Sequence, residues 1–299
     1  MEITKYHPFK SEKARNQYLK LYDNIAKKWP VDSEIKKVRT SYGETYIRVS
    51  GQYNTQTLVL LPGLGTNSLL WMPCIKDLSE KYKTYSIDYI YDKNCGRSVY
   101  SKSLKNVDDY MKWLDQLFDS IEVENKFNLM GTSLGSWLAS KYTLRNPKIL
   151  NKVVLLAPGS NILPMKLEYI LRMLLCVIPH KYFFKSNFYW LFKDSRENDT
   201  VTLEILKNMV DEMYLALKCF NSKVSIFPTK LRDDELKSIS VPLLFLIGEN
   251  EKQCSAIKCI QRLNRIAPYI KTELIPNAGH DILMAQPELV TNKILEFLK

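Results

Sequence analysis

Three short apolar segments, separated by long stretches of mixed sequence, constrain the fold of this chain more than any other feature. Residues 58–61, 153–156 and 243–247 are continuous runs of Leu, Val, Ile and Phe. Runs of this length without alternation are typical of strands covered on both faces, as in parallel sheets whose crossover connections are helices. Helix-like segments lie between the runs, so the sequence predicts an α/β fold with a doubly wound, mostly parallel sheet.

The rest of the chain follows the same alternation of strands and helices. Alternating residues around Tyr42-Gly43-Glu44 predict a β-hairpin over 36–50. Apolar residues at helical spacing predict an amphipathic helix over 104–120. Further strands are expected at 57–61, 82–90, 127–130, 153–157, 243–248 and 271–275, and further helices at 10–29, 67–80, 135–145, 253–266 and 287–298.

The strand pattern is interrupted once, between about residues 160 and 240. Aromatic-rich helical segments fill this interval. A chain of 299 residues is near the size at which a single core stops growing. We therefore expect one α/β core built from residues 36–159 and 241–299, a helical cap inserted at 160–240, and an N-terminal helical arm at 1–35.

The chain has 43 Lys and Arg against 32 Asp and Glu, a formal net charge of +11. Of the basic residues, 33 are Lys and 10 are Arg, whereas specific nucleic-acid and phosphate readers favour Arg. No run of five like charges occurs. The excess of basic over acidic residues indicates a Lys-rich surface, and no nucleic-acid partner is expected.

The cysteines and the apolar stretches bear on compartment and cofactors. None of the six Cys forms a C-x-x-C pair, so free thiols in a reducing cytoplasm are expected, with no metal and no organic cofactor. The first residues lack the apolar core of a signal peptide. The most apolar stretch, Tyr169–Pro179, is too short to cross a bilayer. We expect a cytoplasmic protein without stable membrane insertion. The sequence does not specify its oligomeric state.

The most informative local motif is Gly131-Thr132-Ser133-Leu134-Gly135, which lies between a predicted strand and a predicted helix. A G-x-S-x-G turn holds its serine in a strained backbone conformation above the sheet, and the residues two before and two after it must be small. The N-terminus of the following helix stabilises negative charge that develops nearby. The motif predicts that Ser133 is a nucleophile.

A serine hydroxyl at its usual pKa needs a base within hydrogen-bond reach. His280 lies in a loop just after the last predicted strand, where it can reach Ser133, and it is predicted to be that base. The other two histidines, His7 in the N-terminal arm and His180 in the cap, are expected to be packing or surface residues.

The base must be oriented by a carboxylate, and the chain order of this arrangement is serine, acid, histidine. The loop after residue 248 offers Glu249 and Glu251, whereas the loop after the preceding strand offers no nearby acid. Glu251 is predicted to be the acid, with Glu249 as the alternative. Asp281 is adjacent to His280 and is not expected to orient the same ring.

The tetrahedral intermediate of acyl transfer needs two N–H donors for its oxyanion. The backbone N–H of Leu134, directly after the nucleophile, is one candidate. The second should come from the loop after the first parallel strand, Pro62-Gly63-Leu64-Gly65, where Leu64 is the predicted donor.

Together these motifs resemble those of α/β-hydrolases of the bacterial carboxylesterase-like type. The resemblance rests on Leu61-Pro62-Gly63, on Gly131 to Gly135, on Gly248 to Glu251 and on Gly279-His280, and it spans most of the chain. It implies an acyl-transfer site of Ser133, His280 and Glu251 under an inserted cap. The family usually shows an Asp-x-x-Gly-x-Gly-x-Ser-like segment after the fourth strand. This chain has a lengthened version over 88–98, a departure that bears on the substrate.

Seven aromatic residues lie between His180 and Phe192 in the predicted cap. Three interpretations stay open: helices that pack onto the core, a wall of an apolar acyl pocket that excludes water, and transient docking on lipid helped by Lys181, Lys185 and Lys193.

The function expected from these features is that of a serine hydrolase, a carboxylesterase that cleaves small to medium apolar esters. Its expected partner is a small-molecule ester. The same triad also serves C–C bond hydrolysis and acyl transfer to an acceptor other than water. The alternative that is not an enzyme is a ligand-binding protein with the same fold and no catalytic activity.

Overall fold

A computed structural model describes residues 7–90, 95–121, 126–176, 178, 180–196, 200–221 and 228–299. Within these residues the chain forms a nine-stranded sheet with helices on both faces. The strands are β1 (Glu34–Thr40), β2 (Gly43–Ser50), β3 (Thr57–Leu61), β4 (Lys83–Ile87), β5 (Val99–Tyr100), β6 (Phe127–Thr132), β7 (Leu150–Leu156), β8 (Leu243–Gly248) and β9 (Lys271–Ile275).

The helices follow the strands in alternation. They are α1 (Glu12–Ala26), α2 (Ile75–Ser79), α3 (Val107–Ser120), α4 (Leu134–Arg145), α5 (Gly159–Ile162), α6 (Leu167–Leu175), α7 (Lys181–Leu191), α8 (Lys193–Arg196), α9 (Thr200–Cys219), α10 (Asp233–Lys237), α11 (Ala256–Ile266), α12 (Ile282–Ala285) and α13 (Pro287–Leu298), with 3₁₀ turns at Ser68–Trp71 and Pro147–Ile149. None of the described helices is long and apolar enough to span a membrane.

The sheet order is β1-β2-β4-β3-β6-β7-β8-β9, with β5 paired to β2. Neighbouring strands in the part β4-β3-β6-β7-β8-β9 of this order are parallel. Strand β2 pairs antiparallel with β1, β4 and β5. The strands β3, β6 and β8 are buried along their whole length. The prediction of a doubly wound, mostly parallel α/β sheet is confirmed.

The segment between β7 and β8 contains helices α5 to α10. Helix α9 also contacts the N-terminal helix α1, whose Tyr18 and Tyr22 are fully buried. These helices lie over the carboxyl ends of the parallel strands, since α9 and α7 share one apolar cluster with Met284 in α12. The division into core, cap and arm stays a prediction.

One predicted helix is wrong. Residues 67–80 do not form a continuous helix but a 3₁₀ turn, Ser68–Trp71, followed by the short helix α2. Pro73 lies between the two pieces, and proline cannot donate a backbone hydrogen bond and disfavours a helical conformation in the residue before it. The predicted strand over 82–90 is shorter than expected and ends at Ile87.

Candidate active site

Ser133 lies at the sharp turn between β6 and α4. Its backbone has φ +51° and ψ −113°, a conformation that non-glycine residues rarely adopt. The turn is held in place because the Ser133 N–H donates to Leu156 O on β7 at 2.9 Å, and the Ser136 hydroxyl donates to Gly131 O at 2.7 Å. Backbone strain of this kind persists only where the surrounding structure enforces it.

The two glycines of the motif are required by close approaches of backbone. A Cβ placed on Gly131 would lie 2.2 Å from Gly135 O, and a Cβ placed on Gly135 would lie 2.0 Å from Leu61 O. Neither distance is possible for a real side chain. The prediction that these two positions must be small is confirmed, and the contact with Leu61 shows that the helix start also packs against the end of β3.

The loops after β8 and β9 meet in the same way. A Cβ on Gly248 would lie 2.2 Å from Gly279 O, and the Asn250 N–H donates to Ala278 O at 2.9 Å. This approach brings Glu251 and His280 together, although 29 positions separate them in the chain.

Glu251, His280 and Ser133 form a continuous chain of polar contacts. The Oε2 atom of Glu251 lies 2.9 Å from His280 Nδ1, and His280 Nε2 lies 3.0 Å from Ser133 Oγ. The carboxylate accepts the Nδ1–H, so Nε2 carries the lone pair that can accept the serine hydroxyl proton. The side chains of Glu251 and His280 are buried, whereas Ser133 is partly exposed to the cavity in front of it.

Burial and the charge of Glu251 act in opposite directions on the pKa of His280. Burial disfavours the charged imidazolium, but the Glu251 carboxylate and its hydrogen bond outweigh this effect, with a smaller contribution from Asp281, so the pKa of His280 is raised above 6.5. Asp281 faces the same cavity, and burial raises the pKa of its carboxyl to about 7.

The other acidic candidate lies elsewhere. Glu249 is exposed, and its Oε2 accepts a hydrogen bond from the Asn277 N–H at 3.4 Å. The two remaining histidines are also away from Ser133: the His7 ring packs edge-on against Tyr100, and His180 is exposed at the start of α7.

Gln253 is a site residue that the sequence reasoning missed. Its N–H donates to Glu251 Oε1 at 2.8 Å, its side-chain Nε2 lies 3.1 Å from His280 Nε2, and the same Nε2 donates to the Tyr169 hydroxyl at 3.1 Å. Tyr169 belongs to α6, so this glutamine links the histidine to the helices between β7 and β8. Its proximity to Glu251 in the sequence was the only available signal.

The loop after β3 lies against the serine. A Cβ on Gly63 would be 3.6 Å from Ser133 Cβ. The Gly63 carbonyl accepts from the Thr66 hydroxyl at 2.9 Å and from the Thr66 N–H at 3.3 Å. A trans peptide points its N–H opposite to its carbonyl, so these bonds aim the Leu64 N–H away from Thr66. The Leu134 N–H, at the first position of α4, has no partner within the helix.

The cavity in front of Ser133 is small and mainly apolar, with a volume of about 150 Å³. Phe184, Phe188 and Phe192 on α7 and its end line one wall, and Met209 and Met213 on α9 line another. The aromatic segment 180–192 therefore both packs in an apolar cluster and forms a wall of the cavity. A second cavity of about 290 Å³ shares Met209 and Met213 as walls.

The lengthened segment 88–98 supports the loop after β3; its residues 91–94 lie outside the described part of the chain. The buried Asp88 carboxylate accepts from the Ser68 N–H at 2.8 Å and the Arg97 N–H at 2.8 Å. The Tyr89 hydroxyl donates to Pro62 O at 2.8 Å, and Cys95 lines the first cavity.

A parallel sheet that carries a serine at a strained turn, with a histidine and an acid on later loops, is the arrangement of an α/β-hydrolase. The family model described as serine aminopeptidase, S33, matches residues 52–287 of the chain, which therefore belongs to this family.

Its relatives include bacterial carboxylesterases. The uncharacterized carboxylesterase nap of Bacillus subtilis is 30% identical over 94% of this chain and 92% of its own length. The crystal structure of carboxylesterase CesB (YbfK) from Bacillus subtilis has 28% identity and a TM-score of 0.85, and covers 96% of this chain and 98% of that one. The crystal structure of naproxen esterase from Bacillus subtilis has 27% identity and a TM-score of 0.85 over the full length of both chains.

Proposed function

We propose that the protein is a serine carboxylesterase that cleaves small to medium apolar esters through an acyl-enzyme on Ser133. The observation that carries this proposal is the contact chain from Glu251 through His280 to Ser133, with distances of 2.9 and 3.0 Å, at the floor of an apolar cavity. The carboxylesterases that resemble this chain over nearly its whole length support the same reaction class.

In the first half of the reaction, Ser133 Oγ attacks the ester carbonyl carbon while His280 Nε2 takes the hydroxyl proton. Glu251 holds the ring and stabilises the imidazolium that forms. The N–H groups of Leu134 and Leu64 are the proposed donors to the oxyanion. Collapse of the tetrahedral intermediate breaks the bond to the alcohol oxygen, which leaves with the proton from His280.

In the second half, a water molecule gives a proton to His280 and its oxygen attacks the acyl carbon. The second tetrahedral intermediate collapses to release the carboxylic acid, and the proton returns from His280 to Ser133 Oγ. The enzyme is restored, and the net reaction is addition of one water across the ester bond.

The size of the first cavity supports a small to medium acyl group. An apolar cavity of about 150 Å³ accommodates a molecule the size of benzene. Its walls of Phe and Met side chains favour contact with an apolar acyl group. The adjoining second cavity has Glu212, Asn67 and Asn208 among its wall residues.

The test is a panel of p-nitrophenyl esters of increasing acyl length, together with an aminoacyl p-nitroanilide, assayed with wild type and with Ser133→Ala. We expect ester turnover with an optimum at short to medium acyl length, abolished by Ser133→Ala. Preferential turnover of the aminoacyl amide would indicate a peptidase, and binding without turnover would indicate a non-catalytic protein. Added alcohol acceptors distinguish hydrolysis from acyl transfer.

A further inference from the structure

The outward face of α6 and the start of α7 form the largest group of exposed apolar side chains in the described part of the chain. Leu167, Leu174 and Tyr182 retain 70%, 60% and 69% of their exposure. We call the whole group the aliphatic patch, because six of its eight members are aliphatic and only two are aromatic. Its members are Leu167, Ile170, Leu171, Leu174, Leu175, Ile178, Tyr182 and Phe183. Other exposed apolar residues, such as Tyr53 and Ile257, are scattered over the surface.

The opposite face of α6 is also apolar. Tyr169, Met173 and Cys176 line the cavity in front of Ser133. In a helix with 3.6 residues per turn, these three positions lie on the side opposite to Leu167, Leu171 and Leu174. A helix that is apolar on both sides is normally covered on both sides. In this chain the inner side faces the cavity in front of Ser133, and the outer side faces solvent.

The surroundings of the aliphatic patch are basic. Between residues 163 and 196 the chain has six basic residues, Lys166, Arg172, Lys181, Lys185, Lys193 and Arg196, against the two acidic residues Glu168 and Asp194. Both acids are engaged, because Glu168 pairs with Arg172 at 3.1 Å and Asp194 accepts from Asn250 at 3.0 Å. Lys185 pairs with Asp211 on α9 at 2.6 Å. These pairs also engage Arg172 and Lys185, and the six basic and two acidic residues leave the segment a formal net charge of +4.

Aromatic side chains complete this rim. The guanidinium of Arg172 lies 4.3 Å from the Trp190 ring, and that of Arg196 lies 5.6 Å from the Tyr189 ring. Together with Lys181 and Lys193 these residues line a shallow groove beside the patch. Aliphatic side chains bordered by Trp, Tyr, Lys and Arg match the layers of a membrane surface, where rings and cations lie at the headgroups and alkyl groups enter the hydrocarbon.

A second copy of this chain fits the patch less well. In a symmetric dimer the same surface contributes from both subunits. The basic rims of the two copies would then lie close together, in a protein with a net charge of +11. An anionic lipid surface covers the same apolar groups and attracts the same charges.

We propose that the aliphatic patch is a reversible docking surface for membranes that contain anionic lipids. The leucines of α6 enter the acyl boundary while Lys181, Lys193 and Arg196 face the headgroups. Docking places the lipid against the back of the helix that walls the Ser133 cavity, so an apolar ester dissolved in the membrane reaches the site with little exposure to water. The docking does not depend on the chemistry proposed for Ser133.

The test is sedimentation with vesicles made of equal parts phosphatidylcholine and phosphatidylglycerol, and with vesicles of phosphatidylcholine alone. We expect wild type to bind the anionic vesicles, to bind the neutral ones more weakly, and to be partly released by salt. The double variant Leu171→Glu/Leu174→Glu should bind about 100-fold more weakly, since two apolar side chains are lost from the contact and two negative charges are added.

The matched control is Ile257→Glu, which places a glutamate on a similarly exposed apolar position of α11, outside the patch. It should bind vesicles like wild type. Circular dichroism and turnover of a short water-soluble ester verify that each variant is folded. Equal binding of wild type and the double variant would overturn the proposal, as would no binding of wild type to anionic vesicles. A stable dimer that Leu171→Glu/Leu174→Glu dissociates would assign the patch to self-association instead.

Discussion

Replacing Glu251 by Gln tests the proposed role of the buried acid, because it keeps the shape of the side chain and removes its charge. The carboxylate lies 2.9 Å from His280 Nδ1, and its side chain has no solvent exposure. At an effective dielectric constant of about 20, charges about 4 Å apart interact by about 4 kcal/mol. Loss of this stabilisation of the imidazolium lowers kcat about 10³-fold.

A second effect acts in the same direction. A glutamine amide can donate a hydrogen bond to Nδ1, which favours the tautomer that carries its proton on Nε2. That tautomer cannot accept the proton of Ser133, and in a comparable triad the loss reaches about 10⁴-fold. We therefore expect Glu251→Gln to reduce kcat between about 10³- and 10⁴-fold, with a melting temperature close to that of wild type.

The pH profile provides an independent readout. Turnover requires neutral His280, whose pKa is raised above 6.5 mainly by Glu251 against the opposing effect of burial. In wild type kcat/KM should therefore fall as the pH drops through a midpoint above 6.5. In the Gln variant this midpoint should move to lower pH, because the charge that favours the imidazolium is gone.

The matched control is Glu249→Gln, two residues away and exposed. It should leave kcat and the pH profile within about twofold of wild type, since surface charges have small effects. The assay is p-nitrophenyl ester hydrolysis across pH with both variants. A Glu251→Gln variant that keeps more than a tenth of wild-type kcat, or a Glu249→Gln variant that loses as much activity, would contradict the proposed role of Glu251.

Three further substitutions test other parts of the structure. Gly135→Ala should destabilise the fold by more than about 3 kcal/mol in urea unfolding, because its Cβ would lie 2.0 Å from Leu61 O; unchanged stability would contradict the geometry of the turn. Thr66→Val should lower kcat about tenfold with little change in KM, because the hydroxyl holds the Gly63–Leu64 peptide; a change in KM alone would argue against an oxyanion role for Leu64. Burial raises the pKa of Glu212 from 4.5 to about 7, so the folded protein holds this proton more tightly than the unfolded chain does. The protonated Glu212 therefore adds to the free energy of unfolding below pH 4.5, and this contribution is lost as the pH rises through 7. Glu212→Gln should remove a fall of about 3 kcal/mol over this window, and identical pH dependence in both proteins would contradict the shift.

The fold class was predictable because its signals are local. The buried runs in β3, β7 and β8 and the turn around Ser133 each appear within a few adjacent residues. The position of His280 near Ser133 was predictable for the same reason, since it follows a predicted strand, and its role as the base stays a prediction. The chain order of the motifs then limited how they could be assembled.

Other features depend on contacts between distant segments, which a single sequence does not reveal. The choice between Glu251 and Glu249 follows from the approach of Gly248 to Gly279, and only Glu251 is placed against the histidine. Gln253 is hydrogen-bonded to Tyr169, 84 positions away in the chain. The break in the predicted helix over 67–80 lies at Pro73, which is itself a local signal in the sequence. The cytoplasmic location expected from the cysteine pattern stays a prediction.

A serine carboxylesterase of this kind requires Ser133 to be an activated nucleophile. The most direct measurement is labelling of the folded protein with a fluorophosphonate probe, followed by mass spectrometry of the peptide that contains residue 133. We expect one phosphonate per chain, attached to Ser133 and lost in Ser133→Ala, with labelling much slower in Glu251→Gln. No labelling of wild type, or labelling at another residue that persists in Ser133→Ala, would contradict the proposed role of Ser133.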